Sequence, residues 1–193
     1  MPPSAKFTRE EIVRAALTLV RTEGFDALTA RALGAKLGSS ARPIFTVFQN
    51  MEEVQQAVMD AAKAVYKAFI EQGLAQEKAF QGVGTQYILF SIQEAKLFQL
   101  LFMRERAQVP DLSNVLPVID ENYTQILLSI RHDYGIEGPA AERLYHHLWI
   151  YSHGIAALCA TNMCRFSGEE IGEMMAEVCR SLLKSIREGN RND

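Results

Sequence analysis

A chain of 193 residues, 48% hydrophobic and 22% charged, is long enough for a sizeable core and too apolar to be disordered. It has no run of about 18 apolar residues, which argues against a transmembrane helix, and the opening MPPSAKFTREEI lacks the apolar centre of a secretory signal. Its net charge of −3 hides an asymmetry: residues 1–50 carry seven basic and four acidic side chains, so the remainder holds −6.

The pattern is helical almost throughout, and an all-α fold is expected. Thr8 with Glu11 forms a capping box for a first helix, along which Ile12, Ala15, Ala16, Leu19 and Val20 recur at helical spacing up to Gly24. Thr29 caps a short second helix bearing Leu33 and Leu37 and closed by Gly38. Ser40 is expected to cap a third short helix through about Val47, and Asn50 a fourth with a stripe of Val54, Ala57, Val58, Ala61 and Val65. Longer helices are expected over 77–93, 95–107, 113–134, 139–165 and 168–188. Breaks between them are expected at Gly73, Pro110, the GIEGP run at 135–139 and the FSG at 166–168.

Two short helices separated by Gly38-Ser39 behind a longer one make a helix-turn-helix candidate. A helix that enters a major groove needs a polar cap and apolar backing; Leu33, Leu37, Ile44 and Phe48 supply the backing. Ala41, Arg42, Pro43 and Thr46 are left facing outward. Pro43 is tolerable in a first turn, where backbone N–H groups lack intrahelical partners, and offers a stiff apolar surface to a thymine methyl. Arg42 can meet a guanine edge bidentately. Thr29 can present its hydroxyl and a helix N-terminus to a phosphate. Residues 28–50 hold Arg31, Lys36 and Arg42 and no acid, a local positive field that matters more to a polyanion than the total charge.

Residues 7–58 resemble the DNA-binding domain of the TetR family. The matching features are Ala15-Ala16, Gly24, LTARALGAKLG at 28–38, Ser40, Ile44-Phe45, Phe48, and Asn50 ahead of Glu52-Glu53. The resemblance implies a bacterial homodimer on palindromic double-stranded DNA: a helix-turn-helix domain over 1–50, and a helical regulatory and dimerisation domain over 51–193. It implies a repressor released by a small apolar effector, with Thr29, Arg31, Ser40, Ala41, Arg42, Pro43, Phe45 and Thr46 on the DNA. The chain departs from the family where Phe45 stands for the usual Tyr and Met51 for the usual Lys, losing a hydroxyl donor and a cation. Those departures are the support for an alternative, an all-α dimeric interaction protein that has lost DNA binding.

In the C-terminal part, Leu144, Leu148, Tyr151 and Ile155, then Met175, Val178, Leu182 and Ile186, lie at helical spacing. They are candidates for a four-helix dimer interface. The WIYSHG run at 149–154 is similar to the WHG subtype of TetR-like regulators. Tyr87, Phe90, Phe98, Phe102, Met103, Trp149 and His153 are candidates to wall an apolar ligand cavity. His146 and His153 share a helix face with no carboxylate at ligand spacing, so neither a metal nor a cofactor is expected. Cys159, Cys164 and Cys179 are odd in number and lack CxxC spacing, which fits small apolar residues in a reducing cytoplasm. There is no GxSxG and no phosphate-cradling glycine loop, since the GVG at 82–84 lies inside a helical pattern. No enzyme is expected.

Overall fold

The computed structural model describes residues 6–105 and 108–189. The first five residues of the expected 1–50 domain and the last two of the expected 95–107 helix lie outside this range. Among the described residues all regular structure is helical: α1 (Arg9–Glu23), α2 (Ala30–Lys36), α3 (Met51–Leu74), α4 (Ala79–Gln93), α5 (Ala95–Phe102), α6 (Leu112–Ile119), α7 (Tyr123–Tyr134), α8 (Pro139–Ala160) and α9 (Gly168–Gly189). Two short 3₁₀ turns, Phe25–Ala27 and Ile44–Thr46, complete it. The chain forms two compact units: the residues up to Val65 with Glu94–Arg104, and Tyr66–Gln93 with the residues from Glu105 onward. The division falls within α3.

In the first unit the expected caps are present. Thr8 Oγ1 accepts from the Glu11 N–H at 3.2 Å, and the Glu11 carboxylate accepts from the Thr8 N–H at 2.8 Å. Thr29 Oγ1 accepts from the Ala32 N–H, and Asn50 Oδ1 from the Glu53 N–H. α1 packs on α2, on the Phe25–Ala27 turn and on α5. Ile12, Ala16, Leu33, Ile44, Phe48, Val54, Val58 and Leu97 are fully buried between these elements.

α2 ends in a Schellman motif: the Ser39 N–H bonds the Gly34 carbonyl and the Gly38 N–H the Ala35 carbonyl, with Gly38 at φ +64°. The chain then doubles back so closely over α2 that a Cβ on Gly34 would stand 2.9 Å from the Ala41 nitrogen and the Ser40 carbonyl carbon. Gly34→Ala is therefore expected to destabilise the first unit by about 1–3 kcal/mol. Faster amide hydrogen exchange across residues 9–58, with residues 110–189 unchanged, is the readout; unchanged exchange there would remove the close-approach argument.

In the second unit α4 packs against α7 and α8, and α8 against α9. α4 has no charged residue and buries Phe80, Val83, Tyr87, Ile88, Phe90 and Ser91 around its circumference, as a helix apolar on all sides must. Its first turn is closed from outside the helix, by Asp133 of α7 accepting from the Phe80 N–H at 3.0 Å.

Three expectations are corrected. The third short helix is only a 3₁₀ turn, in which Ile44, Phe45, Thr46 and Val47 bond back three residues. Pro43 disfavours the α region for Arg42, and Ile44, Thr46 and Val47 are β-branched. Thr46 Oγ1 also donates to the Pro43 carbonyl at 2.7 Å, taking an acceptor an α-helix would use. Ser40 consequently makes no cap to this turn, whose leading residue is Pro43 itself. The single helix expected over 113–134 is two, because Asp120 is extended and its carboxylate closes a turn on the Asn122 N–H. The break expected at Gly73 falls one residue later, where α3 ends at Leu74 ahead of α4 at Ala79. The helix expected to reach 165 stops at Ala160, where Thr161 Oγ1 donates to the Ala157 carbonyl and Asn162 adopts φ +55°.

Candidate nucleic-acid interface

The 3₁₀ turn has a buried back and an open front. Ile44 and Phe48 are fully buried with Leu33, while Arg42, Phe45 and Thr46 are exposed and Ala41 and Pro43 half-buried. Thr29, Arg31, Lys36 and Ser40 are also exposed. The turn is braced by Arg9, whose guanidinium lies 4.5 Å from the Phe48 ring centroid and 3.3 Å from the Glu53 carboxylate. Glu53 also accepts from the Gln49 N–H at 2.8 Å. One arginine on α1 thus ties the start of α3 to the aromatic that backs the turn.

The charges divide into two groups. Arg9 is paired with Glu53 and Arg21 with Glu94, whereas Arg31, Lys36 and Arg42 have no carboxylate partner among the described residues. Three uncommitted cations on one acid-free segment leave their donors available to phosphate or base edges. The hydroxyls are less free. Thr46 spends its proton on Pro43 and retains only acceptor capacity, so it cannot donate to a phosphate in this geometry. Thr29 accepts from Ala32 and keeps its proton to donate. Phe45, 43% exposed, offers an apolar ring where a tyrosine would offer a donor.

The second unit holds a cavity of about 310 Å³. Its walls include Tyr66 and Ile70 of α3, Phe80 and Tyr87 of α4, Tyr134 of α7, Tyr145, Leu148 and Trp149 of α8, Met175, Cys179 and Arg180 of α9, and Asp120. Of the residues expected to wall a cavity, Tyr87 and Trp149 do so. His153 stands beside them, its Nδ1 2.8 Å from the Tyr87 hydroxyl and its ring 5.3 Å from that of Trp149. Burial lowers the His153 pKa and raises that of Tyr87, and the two side chains share one hydrogen bond. Trp149 Nε1 is buried without an acceptor at hydrogen-bonding geometry. Phe90 is fully buried against the rings of Tyr66 and Phe69 and is not on the cavity wall. Phe98, Phe102 and Met103 belong to the first unit, where Phe98 and Phe102 pair at 5.1 Å.

Sequence reasoning missed Asp120. It is 3% exposed, and its Oδ2 accepts from the hydroxyls of Tyr66 at 3.0 Å and Tyr145 at 3.4 Å. Its Oδ1 accepts from the Asn122 N–H at 2.9 Å. A single acid in the apolar run LSNVLPVID was the available signal. Desolvation by burial raises the Asp120 pKa, opposed by the Asn122 N–H and the two phenols. A carboxyl whose folded pKa lies above its unfolded value contributes stability fully below the unfolded value and loses it as pH rises through the folded one. Asp120→Asn does not titrate, so its melting temperature relative to wild type is expected to climb as pH rises from the ordinary carboxylate range through the raised Asp120 pKa. Tyr66, Tyr87 and Tyr145 are pushed upward by burial and stay neutral in that window. A pH-independent difference between the two melting curves would contradict this assignment.

The dimer candidates are scattered. Leu144, Leu148 and Ile155 are buried within the unit, and Met175 lines the cavity. Tyr151, Val178 and Leu182 are half-buried, and Ile186 is buried. On α8 the exposed positions are Pro139, Glu142, Arg143, His147, Ile150 and Gly154. Among the described residues no helix is long and apolar enough to cross a membrane, and no cluster of His, Cys, Asp or Glu has metal-binding geometry.

No known family model matches the chain. A stretch of 54 residues is 39% identical to an uncharacterized HTH-type transcriptional regulator of Mycobacterium tuberculosis, covering 28% of this chain and 25% of that protein.

Proposed function

We propose that the chain is a sequence-specific DNA-binding transcriptional regulator of the TetR type, acting as a homodimeric repressor released by a small molecule. The observation that carries this reading is the exposed, unpaired Arg42 on a turn whose back is locked by Leu33, Ile44 and Phe48. The likeness to an HTH-type regulator over 54 residues supports it. On this reading Arg42 meets a base edge, Arg31 and Lys36 meet phosphates, Thr29 donates to a phosphate, and Ser40, Ala41, Pro43, Phe45 and Thr46 supply shape. The half-buried apolar face of α9 and the outer face of α8 with Ile150 and Tyr151 form the interface between two copies. That interface must hold two reader turns about 34–36 Å apart to reach successive major grooves. The 310 Å³ cavity takes the effector, which releases DNA to the extent that it prefers a different separation of the turns. The regulator then works in the cytoplasm without enzymatic activity.

The test is fluorescence anisotropy of the purified chain against DNA flanking its own gene, titrated with salt, followed by selection from a random library. Tight, salt-sensitive binding to one palindrome supports the reading; a selection that returns no preferred site ends it. A second reading, a dimeric interaction protein with the fold but without DNA, draws on two donors withdrawn from the turn: Phe45 has no hydroxyl, and Thr46 turns its own inward.

A further inference from the structure

We propose that the cavity of the second unit is built for a compact lipophilic cation, with Asp120 as its counter-ion. This rests on the reading of that cavity as the effector site and names the effector's chemistry.

Three observations converge. First, every polar contact to Asp120 is a donor: two phenol hydroxyls and one backbone N–H. That is the environment of a carboxylate, and three donors leave one of its roughly four lone-pair sites open. Second, no cation among the described residues answers it. Lys67 is engaged with Glu121 at 3.0 Å, and the N-terminus of α7, which begins just after Asp120, supplies only a partial positive charge. A buried carboxylate without a full counter-charge is costly, and its raised pKa, caused first by desolvation, is the sign of that cost. Third, the rings of Tyr66, Phe80, Tyr87, Tyr134, Tyr145 and Trp149 contribute to the same walls. Aromatic faces attract an organic cation most strongly where water is excluded.

The competing charge in the cavity wall is Arg180, which would favour an anion. Arg180 is exposed, so water screens it, whereas Asp120 is 3% exposed. The buried charge decides the preference. The volume, about 310 Å³, suits a small ligand at the lower end of ordinary binding cavities: a single ring bearing a quaternary or tertiary ammonium.

Trp149 is the chain's one tryptophan and stands in the wall, so its fluorescence reports occupancy. The full chain, without DNA, is titrated with (2-phenylethyl)trimethylammonium. It is titrated in parallel with the neutral isostere in which carbon replaces the nitrogen, and with 4-phenylbutyrate. The cation is expected to bind at least about tenfold more tightly than either, and Asp120→Asn to erase that margin while leaving the isostere's affinity unchanged. Equal or tighter binding of the isostere or the anion, no binding of the cation at millimolar concentration, or full cation affinity in Asp120→Asn would each overturn the proposal. Should that variant not fold, the wild-type ranking decides alone. Repeating the titration with operator DNA separates the two readings. A cation that binds but leaves DNA affinity unchanged ends the release mechanism and not the cavity's chemistry. Release by the neutral isostere alone does the reverse.

Discussion

Alanine in place of Gly82 is expected to destabilise the second unit by about 1–3 kcal/mol or more, although alanine is by far the better helix former. Gly82 lies in α4, where it faces Gly73 near the end of α3, and the two backbones touch. A Cβ on Gly82 would overlap the Gly73 carbonyl oxygen, and one on Gly73 would stand 2.7 Å from the Gly82 carbonyl carbon and the Val83 nitrogen. The obstacles are backbone atoms, which cannot swing aside as a side chain can. Gly84, two residues along the same helix, is the control. A Cβ there meets nothing closer than the Met175 Cε at 3.8 Å, so Gly84→Ala should gain up to about 1 kcal/mol from propensity. At roughly 2–4 °C per kcal/mol for a chain of this size, calorimetry should show the two variants moving in opposite directions from wild type. A Gly82→Ala melting temperature at or above that of wild type would mean that the helices can part without loss.

Removing the Arg42 side chain is expected to cost about 1–3 kcal/mol of discrimination between operator and scrambled DNA, roughly a 5- to 150-fold loss. Binding to scrambled DNA should persist, because Arg31 and Lys36 on the same acid-free segment keep no carboxylate partner among the described residues. The contrast is with Lys36→Ala. Loss of a phosphate contact lowers affinity for all sequences and reduces the salt slope by about one unit without altering preference. Met51→Lys should act oppositely, steepening the slope by about one unit if position 51 reaches a phosphate. Anisotropy at several salt concentrations distinguishes these cases. Arg42→Ala with intact preference would move the specificity elsewhere on the surface, and unchanged nucleic-acid binding altogether would favour the interaction-protein reading.

The all-α class and most helix starts were legible in the sequence because they rest on local chemistry. A threonine followed three residues later by a glutamate makes the same capping box in any protein, and Thr8 with Glu11 makes it here. Gly24, Thr29, Gly38 and Asn50 are equally local, each closing or opening a helix with groups a few residues away. The apolar backing of the Ile44–Thr46 turn was legible too, because Leu33, Ile44 and Phe48 are the large apolar residues of that segment and the structure buries all three.

What the sequence alone determined, then, is where helices begin, which class of fold they form, and which segment is acid-free with arginine exposed. The tertiary structure decided whatever depends on a partner distant in the chain. Gly73 reads only as a break and Gly82 as an idle glycine until two backbones are seen to meet. Phe98, Phe102 and Met103 read as apolar cavity residues alongside Tyr87, yet fold into a different unit. Asp120 looks like one acid among apolar neighbours until Tyr66, 54 positions earlier, and Tyr145, 25 positions later, turn their hydroxyls onto it. Capping and periodicity are interactions across one helical turn and can be read from spacing. Close approach, cavity walls and buried charge arise only when packing brings remote segments together and removes the water between them.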